Sequence, residues 1–182
     1  MDIEWPVELG DQLHRYWQER LRPRLDGLTD GEYFWEPVPG CWTVRPRRTE
    51  QEAGGGTFTV DYAFPAPEPA PVTTIAWRLA HITVHVLSKR AEMCFGGPPT
   101  DYDTHVYAGT AAEALDQLDR AYEAWSSGMQ SLGPMDAARR RGPAAGPYAD
   151  RPLAALILHI NREVIHHGAE IALLRDLYLR RS

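Results

Sequence analysis

The sequence predicts an all-α protein, a four-helix bundle whose first two helices are joined by a long crossover. Three observations carry this expectation. Apolar residues recur every three or four positions in four separate segments, and capping residues stand at the starts of most of them. At 182 residues the chain is long enough to bury one substantial core and short for two, so residues 1–182 are expected to form one domain. No internal repeat and no sustained heptad register points to a solenoid or a coiled coil.

The first helix is expected from about Pro6 to Leu25, with Leu9, Leu13, Tyr16, Trp17, Leu21 and Leu25 forming its apolar stripe. Residues 29–72 read as the crossover, because Pro and Gly are frequent there and apolar runs are short. Within it only TFTVDYAF alternates, weakly, as a short extended piece would. The second helix, TTIAWRLAHITVHVLSKRAEMCF, has Thr73 or Thr74 to cap it and Gly96-Gly97-Pro98-Pro99 to end it. The third opens with a capping box of Thr110 and Glu113 and buries Ala114, Leu115, Leu118, Tyr122, Trp125 and Met129. Asp150 is placed to cap the fourth, which runs to about Leu179.

Charge narrows the function. A net charge of −6 argues against nucleic-acid binding, which needs a basic surface to neutralise phosphates. Lys89 is the only lysine among the basic residues, a codon bias rather than a mechanistic feature. The N-terminus lacks the basic and apolar regions of a signal peptide, and no apolar run is long enough to span a membrane. Cys41 and Cys94 are too few for a disulfide scaffold and read as reduced thiols of a cytoplasmic protein.

The segment HINREVIHHGAEI sets polar residues inside an apolar helix. At about 100° per residue, Leu153, Leu156, Ile160, Val164, Ile171 and Leu174 share one face. Glu163 and His167, four apart, fall within or at the edge of that face, whereas His166 projects away from it. A buried carboxylate beside a buried imidazole is costly unless something compensates its charge. A divalent cation would do so, and a Glu163–His167 hydrogen bond is the purely structural alternative. A third ligand would come from a facing helix: His81 adjoins the apolar arc of the second helix, with His85 further toward its polar side. If a metal is bound, its ligands are expected to be His81, Glu163 and His167, with His85 in reserve for His81.

The chain also resembles the DinB-like superfamily of metal-binding four-helix bundles over essentially its whole length. FWEPVPGCWTVRP is similar to the segment after that family's first helix. TTIAWRLAHITVH is similar to its second-helix signature and places a metal histidine at His81. NREVIHHGAEIALLRDL is similar to its fourth-helix signature, with Glu163-x-x-x-His167 where many members carry two histidines. The His/Glu/His set is similar to the mycothiol-dependent maleylpyruvate isomerase branch, whose members carry a further C-terminal domain.

The resemblance implies a divalent cofactor, zinc, with nickel or iron as alternatives, and a low-molecular-weight thiol such as mycothiol. It implies a metal-dependent enzyme that activates this thiol for S-transfer or thiol-assisted isomerisation of a small-molecule substrate. The alternatives are a non-catalytic bundle with a structural or vestigial metal site, and a metal-dependent hydrolase with Glu170 as its base. A homodimer is compatible with the family.

Other residues invite attention. Cys41 and Cys94 read as small buried hydrophobes, Cys41 in a crossover that can cover a pocket. Trp35, Trp42 and Trp77 can wall such a pocket or serve as core. His159, His166 and Glu170 can orient a ligand imidazole, with His166 better read as a solvated flank. The run Arg139-Arg140-Arg141 reads as a solvated loop or as a contact for an anion.

Overall fold

The computed structural model describes residues 3–181. It is mostly helical, with one small two-stranded sheet. Helix α1 begins as Trp5–Tyr16, widens into a π-helical stretch at Trp17–Leu21 and closes at Arg22–Arg24. Pro6 sits in its first turn, where a missing N–H costs no helical hydrogen bond. Leu9, Leu13, Trp17, Leu21 and Leu25 are buried, as their spacing predicts.

The crossover is more structured than its composition suggests. A single helical turn, α2 (Asp30–Tyr33), has a complete capping box: the Thr29 side chain accepts from the Glu32 N–H, and the Glu32 carboxylate accepts from the Thr29 N–H. Strands β1 (Val44–Pro46) and β2 (Phe58–Val60) pair antiparallel, with Val44 opposite Val60. The expected extended piece contains β2; its partner and α2 were not anticipated, because three or four residues cannot display a period. Trp42 donates to the Val72 carbonyl and accepts from the Thr74 N–H, each at 2.9 Å, which ties the crossover to the start of the next helix.

That helix, α3, runs as Ile75–His81, passes through a π-helical stretch at Ile82–Ser88 and ends as Lys89–Phe95. Thr74 is its cap, accepting from the Trp77 N–H, and Gly96 ends it with φ 74°, a conformation that favours glycine. Helix α4 (Ala111–Gln130) begins with only half of the expected box. Thr110 accepts from the Glu113 N–H, but the Glu113 carboxylate takes the Gly109 N–H instead of that of Thr110. Asp30 adds a second cap from the crossover, accepting from the Ala111 N–H at 2.7 Å.

Helix α5 (Leu153–Leu179) corrects the assignment of Asp150. Its N-cap is Pro152, which has no side-chain acceptor, and Asp150 lies in the preceding loop paired with Arg140 at 2.6 Å. Leu153, Leu156, Ile160, Val164 and Ile171 are buried and Leu174 partly so, which matches the predicted face.

Helix α1 packs against α4 and α5, and α3 packs against the same two. Trp17 of α1 stacks on Tyr122 of α4 with ring centroids 3.9 Å apart. Gly128 lets α4 approach α3, since a Cβ there would stand 2.0 Å from the Phe95 ring. The crossover is fastened to α5 by a buried ion pair, with Arg175 Nε 2.9 Å from Glu32 Oε1. These packings set α3 and α5 side by side, and the candidate site lies between them. Among the described residues, no helix is long and apolar enough to cross a membrane.

Candidate metal centre

His81 stands where α3 passes from regular to π-helical backbone, a distortion often found at functional sites. Glu163 and His167 occupy successive turns of α5, as their spacing predicts. The structure brings all three together: one ligand atom from each lies within 4.8 Å of the other two. Glu163 Oε2 is 3.4 Å from His167 Nε2, and the His81 and His167 rings meet edge to face with centroids 4.9 Å apart. His85 is exposed, so the preference for His81 agrees with the fold.

Each imidazole is held through its Nδ1. His167 Nδ1 is 2.7 Å from Glu170 Oε2. A carboxylate only accepts, so Nδ1 carries the hydrogen and Nε2 keeps a lone pair toward Glu163. Arg78 lies 3.0 Å from the same Glu170 oxygen and 3.1 Å from His167 Nδ1. Because guanidinium also only donates, Glu170 serves as the acceptor shared by His167 and Arg78. His81 Nδ1 is bonded to the Tyr102 hydroxyl at 2.8 Å, leaving its Nε2 for the site, and Trp77 stacks on the ring at 5.1 Å. The outer Glu163 oxygen is engaged by Arg162 at 3.3 Å and lies 3.5 Å from His159 Nδ1.

Burial sets the charge state. It pushes the His81 pKa down to about 3, in the same direction as repulsion from His167 or His85 when protonated and from Arg78. The His167 pKa is also lowered, by burial first, against the opposing pull of Glu170 and Glu163. Both rings are therefore neutral at ordinary pH, the form that binds a metal.

A second grouping, His166, His167 and Glu170, is less suited to a cation. It would require the His167 nitrogen that already donates to Glu170, and the Arg78 guanidinium places a positive charge on the same carboxylate. His166 is 62% exposed, as expected of a flank, although its Nε2 comes within 3.3 Å of Glu170.

The remaining expectations divide. Trp77 lies against His81, and Trp42 is next to Trp77 with centroids 6.0 Å apart. Trp35 packs edge-on against Tyr178 instead and does not join them. Cys41 is buried with its thiol toward the Val38 carbonyl, and Cys94 is half-buried near the end of α3. His159 and Glu170 both reach residues of the centre. Sequence reasoning singled out neither Tyr102 nor Arg78. Tyr102 belongs to the irregular segment between α3 and α4, where no periodicity indicates a facing side chain. Arg78 could have been noticed from its position one turn before His81.

The helical framework holds a His/Glu cluster whose geometry could take a metal ion. A family model for the DinB superfamily matches residues 12–171, and the chain belongs to that superfamily, whose members commonly bind a divalent metal. No curated protein and no solved structure matches the chain.

Proposed function

We propose that His81, Glu163 and His167 hold a divalent cation, zinc in the first instance, at a catalytic centre in a single four-helix-bundle domain. The observation that carries this reading is the orientation of the two imidazoles. Glu170 accepts from His167 Nδ1 and so leaves that ring's Nε2 lone pair toward Glu163, while the Tyr102 hydroxyl occupies His81 Nδ1 and leaves Nε2 as that ring's free nitrogen. The donor set fits such an ion: two neutral imidazoles and one carboxylate, with hydrogen-bonded supports behind each. Three protein ligands leave coordination positions open, which suits a catalytic site better than a closed structural one.

When bound, the cation supplies Lewis acidity that lowers the pKa of a ligated thiol or water. The protein residues hold the centre for that chemistry. Glu170 keeps a proton on His167 Nδ1, Arg78 neutralises Glu170, and Trp77 shields one face of His81. The reaction proposed is S-transfer to a small electrophilic substrate, or its thiol-assisted isomerisation, by a low-molecular-weight thiol of the mycothiol kind in the cytoplasm. Resemblance to the His/Glu/His branch supports the thiol. The hydrolase alternative is weaker, because its only proposed base, Glu170, is already committed to His167 and Arg78.

Elemental analysis of purified protein beside a His167→Ala variant tests the centre. Stoichiometric metal in the wild type and its loss in the variant is the expected result; metal that persists unchanged would sink the ligand assignment. A panel of thiols with electrophilic substrates then tests the activity. Metal without thiol-dependent turnover would leave the structural reading of the site in its place.

A further inference from the structure

A second concave site lies between α3 and α4, under the loop that joins them. Its volume is about 420 Å³, within the range of about 300–1,000 Å³ usual for small-molecule pockets. Helix α3 lines it with Thr83, in the π-helical stretch, and with Phe95 near its end. Helix α4 contributes Gln117, Arg120 and Ala124, and the loop contributes His105. The metal centre, between α3 and α5, uses none of these residues.

The polar groups of the wall have hydrogen-bonding capacity to spare. Gln117 Nε2 donates to the Val106 carbonyl at 2.9 Å, which leaves Gln117 Oε1 to accept from His105 Nε2 at 3.1 Å. His105 Nε2 therefore carries the hydrogen, and its Nδ1 keeps a lone pair. Burial lowers the pKa of this half-buried ring, against the opposing bond from Gln117, so the ring is neutral at ordinary pH. Arg120 stands one turn after Gln117 on α4. Among the described residues no carboxylate lies within 4.0 Å of Arg120, and neighbouring Asp119 is paired with Arg22 at 2.8 Å. Thr83, only 4% exposed, brings a hydroxyl to the same cavity. The one acid among the lining residues, Glu92, is already bonded to Lys89 at 2.9 Å and to the Thr100 N–H at 3.1 Å. A guanidinium matches the two oxygens of a carboxylate, while Phe95 and Ala124 offer apolar surface to whatever carries it.

We propose that this cavity binds a small carboxylic acid with an apolar body, its carboxylate on Arg120 and its body against Phe95 and Ala124, with Thr83 and His105 as further hydrogen-bonding groups. The site stands whether or not the candidate centre binds metal.

Titration calorimetry of the whole protein tests this with acetate, butyrate, benzoate, neutral benzamide and inorganic phosphate. A chelator is present throughout, so that no metal ion can take the carboxylate. Saturable binding that tightens from acetate to benzoate is expected, with benzamide weaker than benzoate by roughly tenfold. Arg120→Gln, an exposed substitution, should weaken benzoate by roughly tenfold and leave benzamide within about twofold, with Arg120→Lys retaining part of the affinity. Ala124→Phe, at an exposed helix position, places a ring in the cavity and should abolish binding of both with a thermal midpoint near that of the wild type. No saturable binding of any of the three acids would overturn the proposal, and so would benzoate binding that survives both substitutions unchanged. Phosphate binding as tight as that of benzoate would refute a ligand with an apolar body. Should Ala124→Phe fail to fold, the difference between benzoate and benzamide in Arg120→Gln decides.

Discussion

His167 donates its Nδ1 hydrogen to Glu170 at 2.7 Å, and this one bond decides which nitrogen is available to the rest of the site. Glu170 lies three residues further along the same helix, so α5 supplies both the imidazole and the group that orients it. The carboxylate at Glu163, one turn earlier, then faces the remaining nitrogen at 3.4 Å.

Glu170 is therefore expected to matter to metal affinity without being a ligand. Glu170→Gln should weaken binding by about 10–100-fold, the range found when the partner of a metal-binding histidine is removed. Competition with a chromophoric chelator measures this. Affinity equal to that of the wild type would separate Glu170 from the centre.

Tyr102 is the corresponding support for His81. Tyr102→Phe keeps the ring that lies on His85, with centroids 4.4 Å apart, and removes only the hydroxyl 2.8 Å from His81 Nδ1. Metal affinity should fall about tenfold with little change in thermal midpoint. A large loss of stability with unchanged affinity would instead make Tyr102 a packing residue.

The metal-free protein should lose stability in acid through its buried histidines. His81 has an ordinary value of 6.5 when unfolded and about 3 when folded, so between these limits the unfolded chain binds a proton that the folded chain refuses. The stabilisation is fully present above pH 6.5 and declines as pH falls toward 3; lowered His167 contributes in the same direction. Urea unfolding in the presence of a chelator, compared between wild type and His81→Gln, should show a shallower pH dependence in the variant. Identical profiles would contradict the burial-driven shift.

The crossover depends on one buried charge. Glu32 is 4% exposed, bonded to Arg175 and to the Thr29 N–H, and these bonds hold its pKa down against the opposing cost of burial. Glu32→Ala removes the carboxylate half of the α2 capping box and leaves Arg175 without its carboxylate. A loss of about 3–5 kcal/mol is expected from denaturant unfolding. A loss below about 1 kcal/mol would show that the crossover is not fastened there.

How much of this was legible beforehand depended on the length of each signal. The four long helices announce themselves because 20 or more residues repeat the apolar period many times, and Thr74, Gly96 and Thr110 mark boundaries by local chemistry alone. The same periodicity separated His167 from His166 and His81 from His85. Short elements gave no such signal: β1 and α2 are three and four residues long and exist because the crossover packs on the helices. Asp150 misled because a capping residue type was present, while Pro152 had already determined where α5 begins.

The sequence by itself determined the helices, the faces they bury and the inward placing of His81, Glu163 and His167, because each of these follows from residues a few positions apart on one helix; the buried Thr83 and Asn161 it did not single out. Only the tertiary structure decided which atoms meet. The Tyr102 hydroxyl at His81 and Arg78 on the carboxylate that orients His167 both join segments far apart in the chain. Such contacts arise from how the helices and loops pack together, and no local period or spacing encodes them.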